Sequence, residues 1–204
     1  MASIYDIKPA FQNLLRPLTR GLAAAGVTAN QVTLAAALLS GAVGACIAIR
    51  PNEHWPLLVL PGFLFVRMAL NAIDGMLARE HHQKSRLGAV LNEIGDVAAD
   101  TALYLPLALV PGFSLWLIVA ITILAIISEM TGVVAVQIGA ARRYDGPMGK
   151  SDRAFVFGLL ALLLGLGVPS GQWLSGVQIA LVLLLLLTVF NRARRALAAP
   201  ATIT

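Results

Sequence analysis

The chain alternates long apolar runs with short polar connections. Six apolar stretches stand out: Val32 to Ile49, Trp55 to Leu77, Leu87 to Leu109, Phe113 to Val136, Phe155 to Val168 and Leu174 to Phe190. Most approach the ~20 residues that a helix needs to cross a bilayer. The fifth is shorter, so it either borrows residues beyond Pro169 or packs where protein shields its ends. None shows the two-residue alternation of a barrel strand, and a backbone in hydrocarbon must satisfy its own polar groups. The pattern predicts an all-α integral membrane protein with six transmembrane helices. Ahead of them Ile7, Phe11, Leu14, Leu15, Leu18 and Leu22 recur at helical spacing, with Lys8, Gln12, Arg16 and Arg20 on another face. That predicts an N-terminal amphipathic interfacial helix, its basic face among anionic headgroups.

Composition sharpens this reading. The 204 residues are 58% hydrophobic and 12% charged, with a mean hydropathy of +0.82, against about 45–50% apolar and about 25% charged in soluble domains. No long polar stretch marks a second domain, so a single membrane domain is expected over residues 1–204, with the interfacial helix in 1–24 and the bundle in 29–195. Cys46 is the only cysteine, which excludes an intrachain disulfide and a cysteine-based metal cluster.

The net charge of +5 reads as topology rather than nucleic-acid binding. Lys8, Arg16 and Arg20, then Arg79, Lys84 and Arg86, then Arg142, Arg143, Lys150 and Arg153, then Arg192, Arg194 and Arg195 fall in alternate connections and at both ends. The intervening connections carry no Lys or Arg except the bordering Arg50. Cytoplasmic loops collect positive charge, so both termini are expected in the cytoplasm, and a bacterial inner membrane is the expected location.

Ionisable residues inside spans are costly and mark functional sites by default. Here they cluster. Asn71, Asp74 and Ala78 share one face of the second span, and Gly88, Asn92, Asp96 and Asp100, each four apart, form a stripe on the third. The connection Arg79 to Leu87 joins the two spans, so Asp74 and Asp96 lie within roughly two turns of it, and the stripes can face each other across an antiparallel pair. Several oxygen donors at that depth suit a hard divalent ion such as Mg2+ or Mn2+, and hence phosphate chemistry. A polar helix contact or an ion pathway would use similar residues. Arg67 and Glu129 fit buried interhelical ion pairs better than cavity-lining roles.

This segment resembles the signature of the CDP-alcohol phosphotransferases, which runs Asp, two residues, Asp-Gly, two residues, Ala-Arg, eight residues, Gly, three residues, Asp, three residues, Asp. The register holds from Asn71 through Asp74, Gly75, Ala78, Arg79 and Gly88 to Asn92 and Asp96. Thr28-Ala29-Asn30-Gln31-Val32-Thr33 is similar to the family's Pro-Asn-x-x-Thr opening of the first span, with Ala29 in place of Pro. Within the family the chain most resembles the YnbA-type bacterial branch. The resemblance implies six transmembrane helices behind an amphipathic helix, a homodimer, and transfer of a phosphatidyl group from CDP-diacylglycerol or a related CDP-lipid to a hydroxyl acceptor with release of CMP. It further implies Asp96 as base and metal ligand and Asp74 as the second carboxylate ligand. Gly75, Ala78, Arg79 and Gly88, with Asn30 and Thr33, would hold the CDP-lipid.

The family's first and third aspartates are Asn71 and Asn92 here. Their amide oxygens can still ligate a hard cation, and Asp100, one turn beyond Asp96, is expected to compensate as a further ligand, with Glu93 off the stripe. A catalytically silent CDP-lipid-binding relative or partner protein is the alternative these asparagines raise. The connection Arg142 to Arg153 contains Gly149-Lys150, similar to the family's Gly-Lys element. Guanidiniums grip phosphate in bidentate fashion, so Arg142, Arg143, Lys150 and Arg153 are expected to bind the acceptor through a phosphate, as in glycerol 3-phosphate or a polyol phosphate, with another lipid hydroxyl also admissible as acceptor.

Overall fold

The computed structural model describes residues 4–199. Among them are seven α-helices and no strand: α1 Ile4–Ala24, α2 Ala29–Ile49, α3 Trp55–Glu80, α4 Arg86–Tyr104, α5 Leu115–Gln137, α6 Lys150–Gly165 and α7 Gln172–Leu197. A 3-10 turn at Leu105–Leu109 follows α4. Pro106 lies in that turn and cannot donate to a continuing helix, so the stretch expected as one helix to Leu109 breaks at Tyr104.

Local chemistry sets the starts. Thr28 caps α2, its hydroxyl accepting from the Gln31 amide while Gln31 reciprocates to the Thr28 amide. Ser85 caps α4 by accepting from the Gly88 amide at 2.9 Å. The Asp152 carboxylate accepts from the Gly149 amide at 2.9 Å, which starts α6 at Lys150 rather than at Phe155. Lys150 and Arg153 therefore belong to the helix and not to the loop in which spacing placed them.

Four helices, α2, α3, α5 and α7, are long and apolar enough to cross a membrane. α6 has 16 residues, and α4 carries Glu93, Asp96 and Asp100 within 19 residues. Buried charge lies on both kinds of helix: Arg67 and Asp74 on α3 and Arg192 on α7, Asp100 on α4 and Arg153 on α6.

α2 packs closely on both α3 and α4, while α3 and α4 make little backbone contact with each other. The two helices meet through side chains, Asn71 to Asp96 and Arg67 to Asp100, rather than by close backbone approach. Gly44 makes the α2 to α4 approach possible, because a Cβ there would overlap the Ala102 carbonyl; a Cβ on Gly41 would meet nothing within 4 Å. α6 packs on α3, and α5 packs on α7 and α4. The main apolar core, including Leu60, Leu64, Leu107, Ile118, Phe157 and Leu181, joins α3 to α7. A smaller cluster of Leu15, Leu22, Val32, Ile73 and Leu77 seats α1 on α2 and α3.

Along α1, Leu14 is 75% and Leu18 53% exposed, whereas Thr19 is buried and the Arg16 guanidinium grips both oxygens of Glu80 at 2.9 and 3.0 Å. The faces expected for Ile7 and Lys8 lie outside the described side chains.

Candidate active site

The polar cluster forms between α3 and α4. Asp74 is buried, and its carboxylate accepts from the Thr33 hydroxyl of α2 at 2.8 Å. The Asn71 amide donates to Asp96 Oδ1 at 3.4 Å, crossing from α3 to α4. Asn92 and Asp96 are half-buried on α4. Lys150, from the first turn of α6, forms an ion pair with Asp96. Thus α2, α3, α4 and α6 each contribute a side chain to one small region.

Glycines let neighbouring groups approach closely in this region. The Arg79 guanidinium lies over Gly75, where a Cβ would come within 3.0 Å of it. At Gly88 a Cβ would meet Asn30 Oδ1 at 2.8 Å and Ser85 Oγ at 3.0 Å, so the start of α4 can touch the start of α2. Gln83 ties the same corner, accepting from the Ala29 amide at 2.7 Å and donating to the Val27 carbonyl at 3.3 Å. Ala78 is half-buried beside the α1 cluster.

Behind this cluster runs a chain of buried ion pairs. Arg67 of α3 donates to Asp100 Oδ1 at 2.5 Å and to the Asp96 carbonyl at 3.1 Å. Arg153 of α6 reaches Asp100 Oδ2 at 2.9 Å and Glu129 Oε1 at 3.1 Å. Glu129 of α5 also pairs with Arg142 at 3.5 Å and Arg192 at 3.4 Å. Arg192 donates to the Ser128 carbonyl at 2.5 Å and the Asp145 carbonyl at 3.2 Å. The ion-pair reading of Arg67 and Glu129 holds.

Two sequence expectations meet a different geometry. Both oxygens of Asp100 are taken by guanidiniums, so in this arrangement it neutralises Arg67 and Arg153 instead of facing the Asp74 side. Arg153 is 0% exposed, which removes it from any surface a soluble acceptor could touch. Arg142 pairs with Glu93 as well as Glu129, and Arg143 pairs with Asp145 at 2.7 Å.

Arg192 was read only as a topological charge, yet it is 1% exposed. A signal was present: Leu181, Leu185, Thr188, Arg192 and Ala196 lie on one helical stripe, and all five are buried. Asp145, in the loop before α6, binds Arg143 and Arg195 through its two oxygens. Burial pushes its carboxyl up, but the hydrogen bonds from Arg143 and Arg195 outweigh burial and hold it below the ordinary aspartate range.

Among the described residues no three carboxylate, imidazole or thiolate side chains gather as a metal site. The donor set fits a hard divalent cation nonetheless: Asp74 and Asp96 supply carboxylates, and Asn71 and Asn92, on the same two helices, can add amide oxygens. An ammonium ion pair on Asp96 shows that this carboxylate attracts cations where it stands.

The fold and site define a multi-pass helical membrane protein with a polar cluster, rich in oxygen donors, at one end of the bundle. The CDP-alcohol phosphatidyltransferase family model matches residues 26–203, and the chain belongs to that family. It is 45% identical over 195 residues to the inner membrane protein YnbA of Escherichia coli, covering 96% of each chain. It is 27% identical over 196 residues to the phosphatidylinositol phosphate synthase of Mycobacterium marinum, covering 92% of this chain and 80% of that one. The fold is that of the Mycobacterium tuberculosis phosphatidylinositol phosphate synthase crystallised with CDP-DAG bound, with a TM-score of 0.77 at 21% identity over 92% of this chain and 96% of that chain. The same synthase in complex with manganese and citrate also gives a TM-score of 0.77 at 21% identity, over 92% and 91% of the two chains.

Proposed function

We propose that the protein transfers a phosphatidyl or similar substituted phosphate group from a CDP-lipid, CDP-diacylglycerol in the first instance, to a hydroxyl acceptor, releasing CMP. The observation that carries this reading is the 71–96 signature register, which the fold gathers from α3 and α4 into one polar cluster through the Asn71 to Asp96 hydrogen bond, with Asp74 held by Thr33 of α2. Family membership and a shared fold with a synthase crystallised with CDP-DAG support it.

Asp74, Asp96, Asn71 and Asn92 would hold Mg2+ or Mn2+, and a divalent ion there would offset charge on the diphosphate and on departing CMP. Arg79, whose guanidinium lies over Gly75, would grip a phosphate. Asn30 and Thr33 at the start of α2 and the small residues Gly75, Ala78 and Gly88 leave room for the CDP portion. Asp96 is the base: half-buried on α4, it takes the proton from the acceptor hydroxyl as the oxygen attacks phosphorus. Lys150 and Arg67 both form ion pairs with Asp96.

The reaction belongs at the cytoplasmic face of a bacterial inner membrane. The basic residues of α1, the α3 to α4 connection, the loop before α6 and the end of α7 gather at one end of the bundle, and YnbA is described as an inner membrane protein. α4 and α6 complete six crossings with the four apolar helices, shielded by their neighbours. α1 lies in the interface with Leu14 and Leu18 toward acyl chains, and the active form is a homodimer.

A second reading follows from Asn71 and Asn92, which leave the site two formal charges short: a silent relative that binds CDP-lipid without turnover. Purified protein in liposomes containing CDP-diacylglycerol, with Mg2+ or Mn2+ and a panel of alcohols, separates the two. CMP release that EDTA abolishes is the expected result. Metal-dependent CDP-lipid binding with no CMP from any acceptor would favour the silent relative.

A further inference from the structure

Asp96 uses its two carboxylate oxygens unequally. Oδ1 accepts from the Asn71 amide at 3.4 Å, pairs with the Lys150 ammonium and lies 3.8 Å from the Arg67 guanidinium. No side-chain hydrogen bond reaches Oδ2 among the described residues. The nitrogen groups on Oδ1 come from two helices, Asn71 and Arg67 from α3 and Lys150 from the first turn of α6. Lys150 also stands near enough to Asp74 for their charges to interact, while Asp74 Oδ2 is held by the Thr33 hydroxyl.

The residue type at position 71 decides what this arrangement can hold. An ionised carboxylate only accepts, so two aspartates at this separation repel unless a cation stands between them. Asparagine removes that need, because its Nδ2–H donates straight to Asp96 and leaves its own oxygen for another partner. Lys150 adds a full positive charge on the same Asp96 oxygen. Together the two nitrogen groups do at Oδ1 what a bridging divalent ion does for a pair of carboxylates.

Charge points the same way. Of the four proposed ligands only Asp74 and Asp96 are negative, since Asn71 and Asn92 are neutral. Asp100 adds nothing, because Arg67 and Arg153 hold its two oxygens. One divalent ion therefore balances the two carboxylates, and Lys150 leaves a surplus of one positive charge to meet a diphosphate. A second divalent ion would add two more uncompensated positive charges in a half-buried site, where such charge is costly.

We infer that the site takes one divalent cation per chain, on Asp74, Asp96 and the amide oxygens of Asn71 and Asn92, and that the Lys150 ammonium with the Asn71 amide takes the place of a second. The inference rests on the metal-dependent transferase reading above and sets how many ions that reading uses. Asn71, Asn92 and Lys150 form one matched set, in which a tethered ammonium makes up for the carboxylates that the two asparagines replace.

The test titrates metal-stripped, purified protein with Mn2+ in detergent and follows free and bound ion by electron paramagnetic resonance. The expected result is one Mn2+ per chain at saturation, without the magnetic coupling of two ions about 4 Å apart. Two coupled Mn2+ per chain in the native protein would overturn the inference and leave the metal-dependent transferase standing; no bound Mn2+ would overturn both. The combined variant Asn71→Asp, Asn92→Asp, Lys150→Gln should bind two coupled ions, and a single ion in that variant, eluting as the native protein does, would overturn the roles given to these three residues. Lys150→Gln alone gives a reading that does not depend on the combined variant folding. Its stoichiometry should stay at one and its Kd for Mn2+ should fall at least about threefold, because a positive neighbour is gone. An unchanged or weaker Kd would overturn the inference.

Discussion

The two ends of the bundle differ in how they handle polar groups. From the middle of α3 toward one end, Arg67, Asp100, Arg153, Glu129 and Arg192 form a buried run of alternating charge across α3 to α7. At the other the polar contacts are few and neutral or exposed: Gln178 accepts from the Ser114 amide at 3.0 Å, His54 Nδ1 meets the Leu164 carbonyl at 2.9 Å, and Arg50 pairs with Glu53 in the open. Helix association in a membrane does not require buried charge, since small residues and packing suffice. A costly cluster kept toward one end only is therefore organised around what happens there, next to Asp74 and Asp96.

The sharpest way to break this contrast is Asp74→Ala. Loss of a carboxylate from a two-carboxylate site should lower CMP release by about 10²-fold or more, with unchanged elution by size-exclusion chromatography; activity within a few fold of native would mean that the site lies elsewhere. Next in size is Arg153→Met, which leaves Asp100 and Glu129 buried with fewer cations. Such losses cost about 3–5 kcal/mol, read as a fall in thermal unfolding temperature in detergent, and Asp100→Leu added to Arg153→Met should recover part of it.

Gly44→Val tests the α2 to α4 approach. Overpacking costs roughly 1–3 kcal/mol, and turnover should fall along with stability because α4, which carries Asn92 and Asp96, shifts. Asp145 contributes in a pH-dependent way. Its folded carboxyl is held below the usual range, so its stabilisation is present above about pH 4 and fades as the pH falls through the depressed folded value. Asp145→Asn should remove that acid limb of the stability profile; an identical profile would detach Asp145 from the fold. The smallest effect belongs to the opposite end, where Arg50 is 58% and Glu53 41% exposed. Arg50→Ala should change stability by less than ~1 kcal/mol.

Much of this was written in the order of residues. Apolar runs locate the helices because hydrocarbon tolerates little else, and the spacing of Asn71, Asp74, Asn92 and Asp96 places oxygen donors on two helical faces. Spacing could not show that α2 would pack closely on α4, because the determinant is the bare backbone at Gly44, and small residues repeat all along α2. Nor could it distinguish a free arginine from a paired one. Arg142, Arg143 and Arg153 look like a phosphate grip when read along the chain, since their partners Glu93, Asp100 and Glu129 sit on helices distant in sequence. Asp145 was nearer, two residues from Arg143, but its bond to Arg195 spans the chain from the α6 loop to the end of α7. The start of α6 was hidden by Lys150 and Arg153, charges that look like loop until their carboxylate partners are known.

The most direct test compares native protein with Asp96→Asn in liposomes carrying CDP-diacylglycerol and Mn2+, with CMP followed over a single turnover and the unfolding temperature recorded for both. The expected result is CMP from the native protein and none from Asp96→Asn, with the two unfolding within a few degrees of each other. CMP from Asp96→Asn at the native rate would contradict the assignment of this end of the bundle as the place where the acceptor hydroxyl loses its proton.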